Sequence, residues 1–286
     1  MAQQEGHVVV SLGAELVYDT NVALRPDGAP ITLPGPDGSA GLTLMGLIRP
    51  WGTPGPYLRL EGQLSKQFTL TALDLVGGAA ALGFRLAGST GSLTGEYAYS
   101  YQAVDYQGYL ADHRAFLGGS LLTGIALWGF AYAAHFETYR WTELSDLSGV
   151  RQVLELDAGL IPGGGVRLTA GFAGTWDSAK VQNLSYLEHG PILELVWSHG
   201  PWTVGARGAM AWRSYLAPDP AYGDATHEVT RQDTRYFATT WLDVLLGTQW
   251  SVRGTVKLLR TDSNIPDLNA TEWIFIGSVA WTGSVL

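Results

Sequence analysis

The chain has no cysteine, few charges and almost no lysine, and each shortage excludes something. Without cysteine there is no disulfide framework, which suits a protein that folds after crossing an oxidising compartment. Only 15% of residues are charged, against the roughly 25% of a soluble domain that covers its exterior with Lys and Glu. The three lysines are Lys66, Lys180 and Lys257, so something other than charge must cover part of the outside. No apolar run approaches the roughly 18–20 residues of a transmembrane helix. In a membrane, a closed β-barrel is then the remaining way to satisfy the backbone. A net charge of -9 argues against nucleic acid as a partner. The start, Met1-Ala2-Gln3-Gln4-Glu5, has no basic or apolar leader region, and the expectation is a mature or engineered start with a signal peptide removed. No linker or shift in composition divides residues 1–286, so one domain is expected.

What the chain does have is period-two alternation, repeated about every 20 residues with turn residues between the runs. From Val166 to Asp177 one face carries Val166, Leu168, Ala170, Phe172, Gly174 and Trp176, and the other Arg167, Thr169, Gly171, Ala173, Thr175 and Asp177. The segments from Tyr57 and from Trp202 repeat the pattern. The alternation predicts strands over 7–18, 39–49, 57–68, 71–87, 92–104, 110–122, 125–139, 150–160, 166–177, 187–198, 202–215, 231–244, 248–260 and 271–285. In 231–244 either face can be the apolar one. Connections alternate between short, such as Leu122-Thr123-Gly124 and Ser198-His199-Gly200-Pro201, and longer ones rich in Asp, Asn and Pro: 19–38, 140–149, 178–186, 216–230 and 261–270. The connection near Thr69 is the exception, short where a long one is expected. Short periplasmic turns and long extracellular loops mark bacterial barrels.

A soluble β-sandwich or lipocalin-like barrel also alternates, and aromatic placement separates the two. Trp128, Trp197, Trp202, Trp250 and Trp281 fall at the periplasmic ends of their strands, on the apolar face. Phe136, Trp176, Trp212 and Trp273 fall near the opposite ends of the same face. Indole rings favour the headgroup level, so two belts mark two interfaces. The predicted fold is all-β: a transmembrane antiparallel up-and-down β-barrel of about 14 strands (12–16 allowed by boundary uncertainty) in a bacterial outer membrane. Lipid and lipopolysaccharide are its first expected partners.

The opening hairpin, Leu16-Val17-Tyr18-Asp19-Thr20-Asn21-Val22 followed by Arg25-Pro26-Asp27-Gly28, resembles the start of barrels that follow periplasmic tetratricopeptide-repeat domains. These are the surface lipoprotein assembly modifiers and the polysaccharide-export barrels. The loop Ser263-Asn264-Ile265-Pro266-Asp267 is similar to theirs as well. The resemblance implies a conduit or assembly role for a polymer or lipoprotein, with a periplasmic helical-repeat domain or protein as partner.

On this topology the lumen faces include Glu15, Arg59, Glu61, Arg85, Glu96, Asp112, Arg114, Glu137, Arg151, Glu155, Asp157, Arg167, Glu188, Glu194, Arg207, Arg213, Arg253 and Lys257. Two readings of this set stand side by side: cross-lumen networks that hold the wall, or a ladder that selects anionic or sugar-like solutes. Fourteen strands lie between filled small barrels and the open channels of sixteen or more, and no segment is long and apolar enough for a buried plug. Only His113 and His135, of the six histidines, lie near carboxylates, and no nucleophile–base spacing stands out. No catalytic residue, cofactor or metal is assigned. Asp262-Ser263-Asn264 with Asp267 has hard-ligand character, but such loops are more often turn formers. Loop acids Glu143, Asp146, Asp219 and Asp224 are weaker candidates for divalent ions shared with lipopolysaccharide. The expected function is a passive pore or export conduit for a polar solute or polymer. The alternative is a closed assembly or scaffold barrel that works with a protein partner.

Overall fold

In a computed structural model, residues 8–21, 36–218, 223–224 and 227–285 are described. Most of the 19–38 loop and the middle of the 216–230 loop therefore lie outside the described residues. Fourteen antiparallel strands close into a barrel. They are β1 (Val8–Asp19), β2 (Asp37–Ile48), β3 (Gly55–Gln67), β4 (Leu75–Ala87), β5 (Gly91–Val104), β6 (Gln107–Thr123), β7 (Ala126–Tyr139) and β8 (Gly149–Gly163). The wall continues through β9 (Val166–Ala179), β10 (Tyr186–His199) and β11 (Trp202–Tyr215). The two-residue strands β12 (Gly223–Asp224) and β13 (His227–Glu228) pair with each other outside it. β14 (Gln232–Leu246), β15 (Trp250–Ser263) and β16 (Ala270–Val285) complete it. β16 pairs with β1 in unbroken register from Val8↔Val285 to Asp19↔Ile274, so the sheet has no free edge.

The turns follow from residue chemistry. Gly124, Gly164, Gly200 and Gly247 supply the positive φ of the short periplasmic connections. The structure departs from the alternation at the opposite rim. Thr71–Leu73 is a 3-10 turn and β4 begins at Leu75, not at 71, because Leu73 turns into an apolar cluster. Asp74 also accepts the N–H of Gln67 (2.8 Å). The connection near Thr69 is thus a true loop, and the tight extracellular turn is Asp105-Tyr106, with φ of 48° and 59°. Asp37 ties the first of these loops down: its carboxylate accepts from the Thr69 hydroxyl (2.5 Å) and the Leu70 N–H (2.9 Å).

The apolar cluster consists of Leu73, Val104, Tyr109, Leu144 and Leu147, flanked by Leu70, Leu75, Leu110, Tyr139, Trp141 and Leu184. A bulge between Gln102 and Ala103 adds Tyr109 to β6, and its ring meets Tyr139 and Trp141 edge-on at 5.8 and 5.2 Å. Tyr139 shares its face with Glu137 and His135, so the cluster sits inside the extracellular rim. No long helix lies among the described residues, and the 140–148 loop contributes Leu144 and Leu147 to this cluster.

Candidate functional site: the charged inner wall

Along every strand one set of alternate residues is apolar and exposed. Leu12, Leu16 and Tyr18 on β1, Leu60 and Leu64 on β3, Leu154 and Leu156 on β8, and Leu168, Phe172 and Trp176 on β9 all lie open on the outside. Trp128, Trp197, Trp202 and Trp250 are exposed near the short-turn end. Trp281 lies opposite Trp250, its indole N–H donating to Gln249 (3.3 Å). Phe136, Trp176, Trp212 and Trp273 are exposed near the other end. Such a surface is stable only against lipid.

The alternate face carries the charges, and most are held in ion pairs. Glu96, with its side chain 6% exposed, accepts from Arg59 (2.7 Å), Arg114 (2.5 Å) and the Tyr57 hydroxyl (2.8 Å), while Arg59 also bonds Glu61. Arg151 holds Glu137 (2.5 Å), Arg167 holds Glu194 (2.7 Å), and Arg207 reaches Glu155 (3.0 Å) across two strands. At the extracellular rim Glu188 accepts from Arg213 (2.8 Å) and Arg235 (2.9 Å), and the Arg213 guanidinium stacks 3.8 Å from the Tyr186 ring. Glu15, Arg85, Asp157 and Lys257 share this face without an ion pair among the described residues.

Glycine makes room for the larger inner side chains. The Tyr57 ring lies where a Cβ on Gly83 would sit, and the Trp241 indole covers Gly205 in the same way. Both are close approaches that any larger residue would block.

Sequence reasoning missed part of this wall. On β14 the inner face is Asp233, Arg235, Phe237, Thr239, Trp241 and Asp243, while Tyr236 and Leu242 are exposed outside. Asp233 pairs with Arg231 (2.8 Å) and Asp243 with Arg253 (2.6 Å). Of the two histidines placed near carboxylates, only His135 is: its Nδ1 is 2.9 Å from Asp112. His113 points outward, with Nδ1 2.6 Å from the Tyr97 hydroxyl and its ring 4.8 Å from Tyr99. Among the described residues no hydroxyl hydrogen-bonds to His135. The Asp/Asn loop near 262 is structural. Asp262 pairs with Arg260 (2.9 Å), and the Asn264 and Asn269 amide oxygens accept the N–H groups of Gln232 and Ser263. Asp146 lies 4.0 Å from Lys180, and Asp219 falls outside the described residues.

Between β2 and β7 the inner face borders a cavity of about 400 Å³, lined by Thr43, Arg59, Glu61, Gln63, Ser100, Gln102, Asp112, Arg114 and His135. A smaller one of about 150 Å³ lies among Glu155, Asp157, Arg167, Thr169, Glu194 and Arg207.

These features define a transmembrane β-barrel of the outer-membrane type. No family model matches the sequence, and no curated protein matches it. Solved structures match in shape. A deletion mutant of the TodX monoaromatic hydrocarbon channel is 10% identical, with 99% of this chain and 91% of that one covered at a TM-score of 0.53. A bacterial polysaccharide outer membrane secretin is 10% identical over 94% of this chain and 97% of that one, TM-score 0.52. OccAB3 of Acinetobacter baumannii is 8% identical over 96% and 99%, TM-score 0.50. The fold is therefore that of outer-membrane barrels, and with its exposed apolar band the chain belongs in the bacterial outer membrane.

Proposed function

We propose that this barrel is a passive pore or export conduit for a polar solute or polymer, and that the inner-face charges named above line it. One observation carries the reading. The 400 Å³ inner cavity presents the hydroxyls of Thr43 and Ser100, the amides of Gln63 and Gln102, and the charged groups of Arg59, Glu61, Asp112 and Arg114, set among Leu44, Met45, Ala79 and Ala98. Such a lining offers donors and acceptors to a hydrated or sugar-like molecule, and its paired arginines leave little net field to repel one. The ion pairs then serve as wall braces and as a hydrogen-bonding surface at once. The resemblance of the first hairpin to tetratricopeptide-linked export barrels supports a polymer as cargo and a periplasmic helical-repeat partner. Lipopolysaccharide is the partner proposed outside, where Arg260 and Asp262 stand beyond Leu258 and Trp273 on the outer face.

The apolar cluster beneath the 140–148 loop favours a second reading, a closed barrel that acts as an assembly scaffold. Single-channel recording of the refolded protein in planar bilayers separates the two. An ohmic conductance supports the pore. Silence, with or without the 19–38 loop, sinks it in favour of the scaffold.

A further inference from the structure

The pairing of β6 with β7 sets Asp112 directly opposite Glu137. Like charges in opposed positions destabilise a sheet, so a positive partner is called for. His135, two residues before Glu137 on the same face, places Nδ1 2.9 Å from Asp112 Oδ2. Ligand-capable atoms of Asp112, His135 and Glu137 all lie within 4.8 Å of one another. Asp112 Oδ1 is buried and has no hydrogen-bond partner among the described residues. A carboxylate oxygen left this way is costly, by more than a neutral acceptor would be. Asp112 and His135 border the 400 Å³ cavity, which gives an ion a way in from the lumen.

We infer that Asp112, His135 and Glu137 form a binding site for a divalent transition-metal ion of the zinc class in the inner wall. One imidazole with two carboxylates suits a borderline ion, whereas calcium and magnesium take oxygen ligands throughout. Three protein ligands leave a coordination position for water or a passing solute group.

The cations nearby do not oppose the ion. Arg114 and Arg151 are the cross-strand partners of His135. Arg114 is held by Glu96 and Arg151 by Glu137, each at 2.5 Å. Counting Glu61, Glu96, Asp112 and Glu137 against Arg59, Arg114 and Arg151 leaves one negative charge in excess. Arg151 then orients the Glu137 carboxylate, as outer partners do for metal-bound carboxylates. The site depends on strand register, not on the barrel conducting.

The test is calorimetric titration of the full refolded chain in detergent with zinc chloride, and with cobalt chloride read by visible absorption. The expected result is one equivalent bound. His135→Ala and the near-isosteric Asp112→Asn should each weaken binding by about tenfold or more, with folding checked by heat-modifiable gel mobility. His199→Ala, at the short-turn end of β10, should leave binding unchanged. No saturable zinc binding by the folded wild type overturns the inference. So does binding that survives both inner-wall substitutions, or binding that millimolar calcium displaces as readily as zinc does.

Discussion

Replacing Ala170 with arginine puts a charge where the structure leaves least room for one. Ala170 lies on the outer face of β9, opposite Ala158 on one side and Leu193 on the other. At a rise of about 3.3 Å per residue and a tilt near 40°, each residue climbs about 2.5 Å along the barrel axis. Val166, paired with Trp197 of the lower belt, and Trp176 of the upper belt are then about 25 Å apart, the height of a barrel's apolar band. Ala170 stands about 10 Å above the lower belt, close to mid-membrane. Arginine at that depth costs about 2–4 kcal/mol, roughly thirtyfold to several hundredfold in the folding equilibrium. Thr169, its neighbour in the chain, faces the inner cavity with Glu155, Asp157 and Glu194. An arginine there gains carboxylate neighbours and should change stability by less than about 1 kcal/mol. The measurement is reversible denaturant titration of both variants in lipid vesicles, followed by tryptophan fluorescence. Equal stability of Ala170→Arg and Thr169→Arg would refute the assignment of faces on which everything else rests.

Four further outcomes are expected. Arg59→Ser with Arg114→Ser strips Glu96 of both cations, and the reversal potential in a salt gradient should move toward cation preference. Arg213→Ala removes a guanidinium only 3% exposed from between Glu188 and the Tyr186 ring; thermal or denaturant unfolding should show a loss of about 2–3 kcal/mol. Protease added to intact cells should cut within 19–38 and 216–230, while the turns at 162–165 and 199–201 resist until the outer membrane is opened; the reverse order would invert the topology. Deleting part of 19–38 should raise conductance or quieten gating noise in single-channel records.

The barrel was legible because its signal is local. Period two survives any choice of partner, so Leu168, Ala170, Phe172 and Trp176 declare a face before their neighbours are known. Turn chemistry is local too, and Gly124, Gly200 and Gly247 mark ends that pairing then respects. The rim was less legible because its order comes from packing between loops distant in sequence. Leu144 and Leu147, spaced three apart in a polar loop, carry no strand signal. They are buried because Val104, Tyr109 and Leu73 meet them there.

The inner wall divides along the same line. Parity alone decides which side a residue takes, and applied to His113 it places that ring outside, against the expectation that set it beside carboxylates. Asp112 and Arg114 both face inward, so the residue between them cannot. On β14 parity was visible but its sign was not, since each alternate set mixes polar and apolar residues. Cross-strand partners fix the sign: Arg235 finds Glu188, and Asp243 finds Arg253. Neither partner is named by local sequence, because register is a property of two strands. The same holds for the group around Asp112. His135 and Glu137 advertise themselves as two residues on one face, a spacing too common in strands to mean anything alone. The third member lies 23 residues earlier, and only the register that places Asp112 opposite Glu137 turns three ordinary side chains into one cluster. Shifting β6 by two residues against β7 would keep every inner residue inward and every lipid-facing residue outward, yet would dissolve that cluster. The zinc titration is therefore also a test of register, which the face-swapping arginines cannot detect.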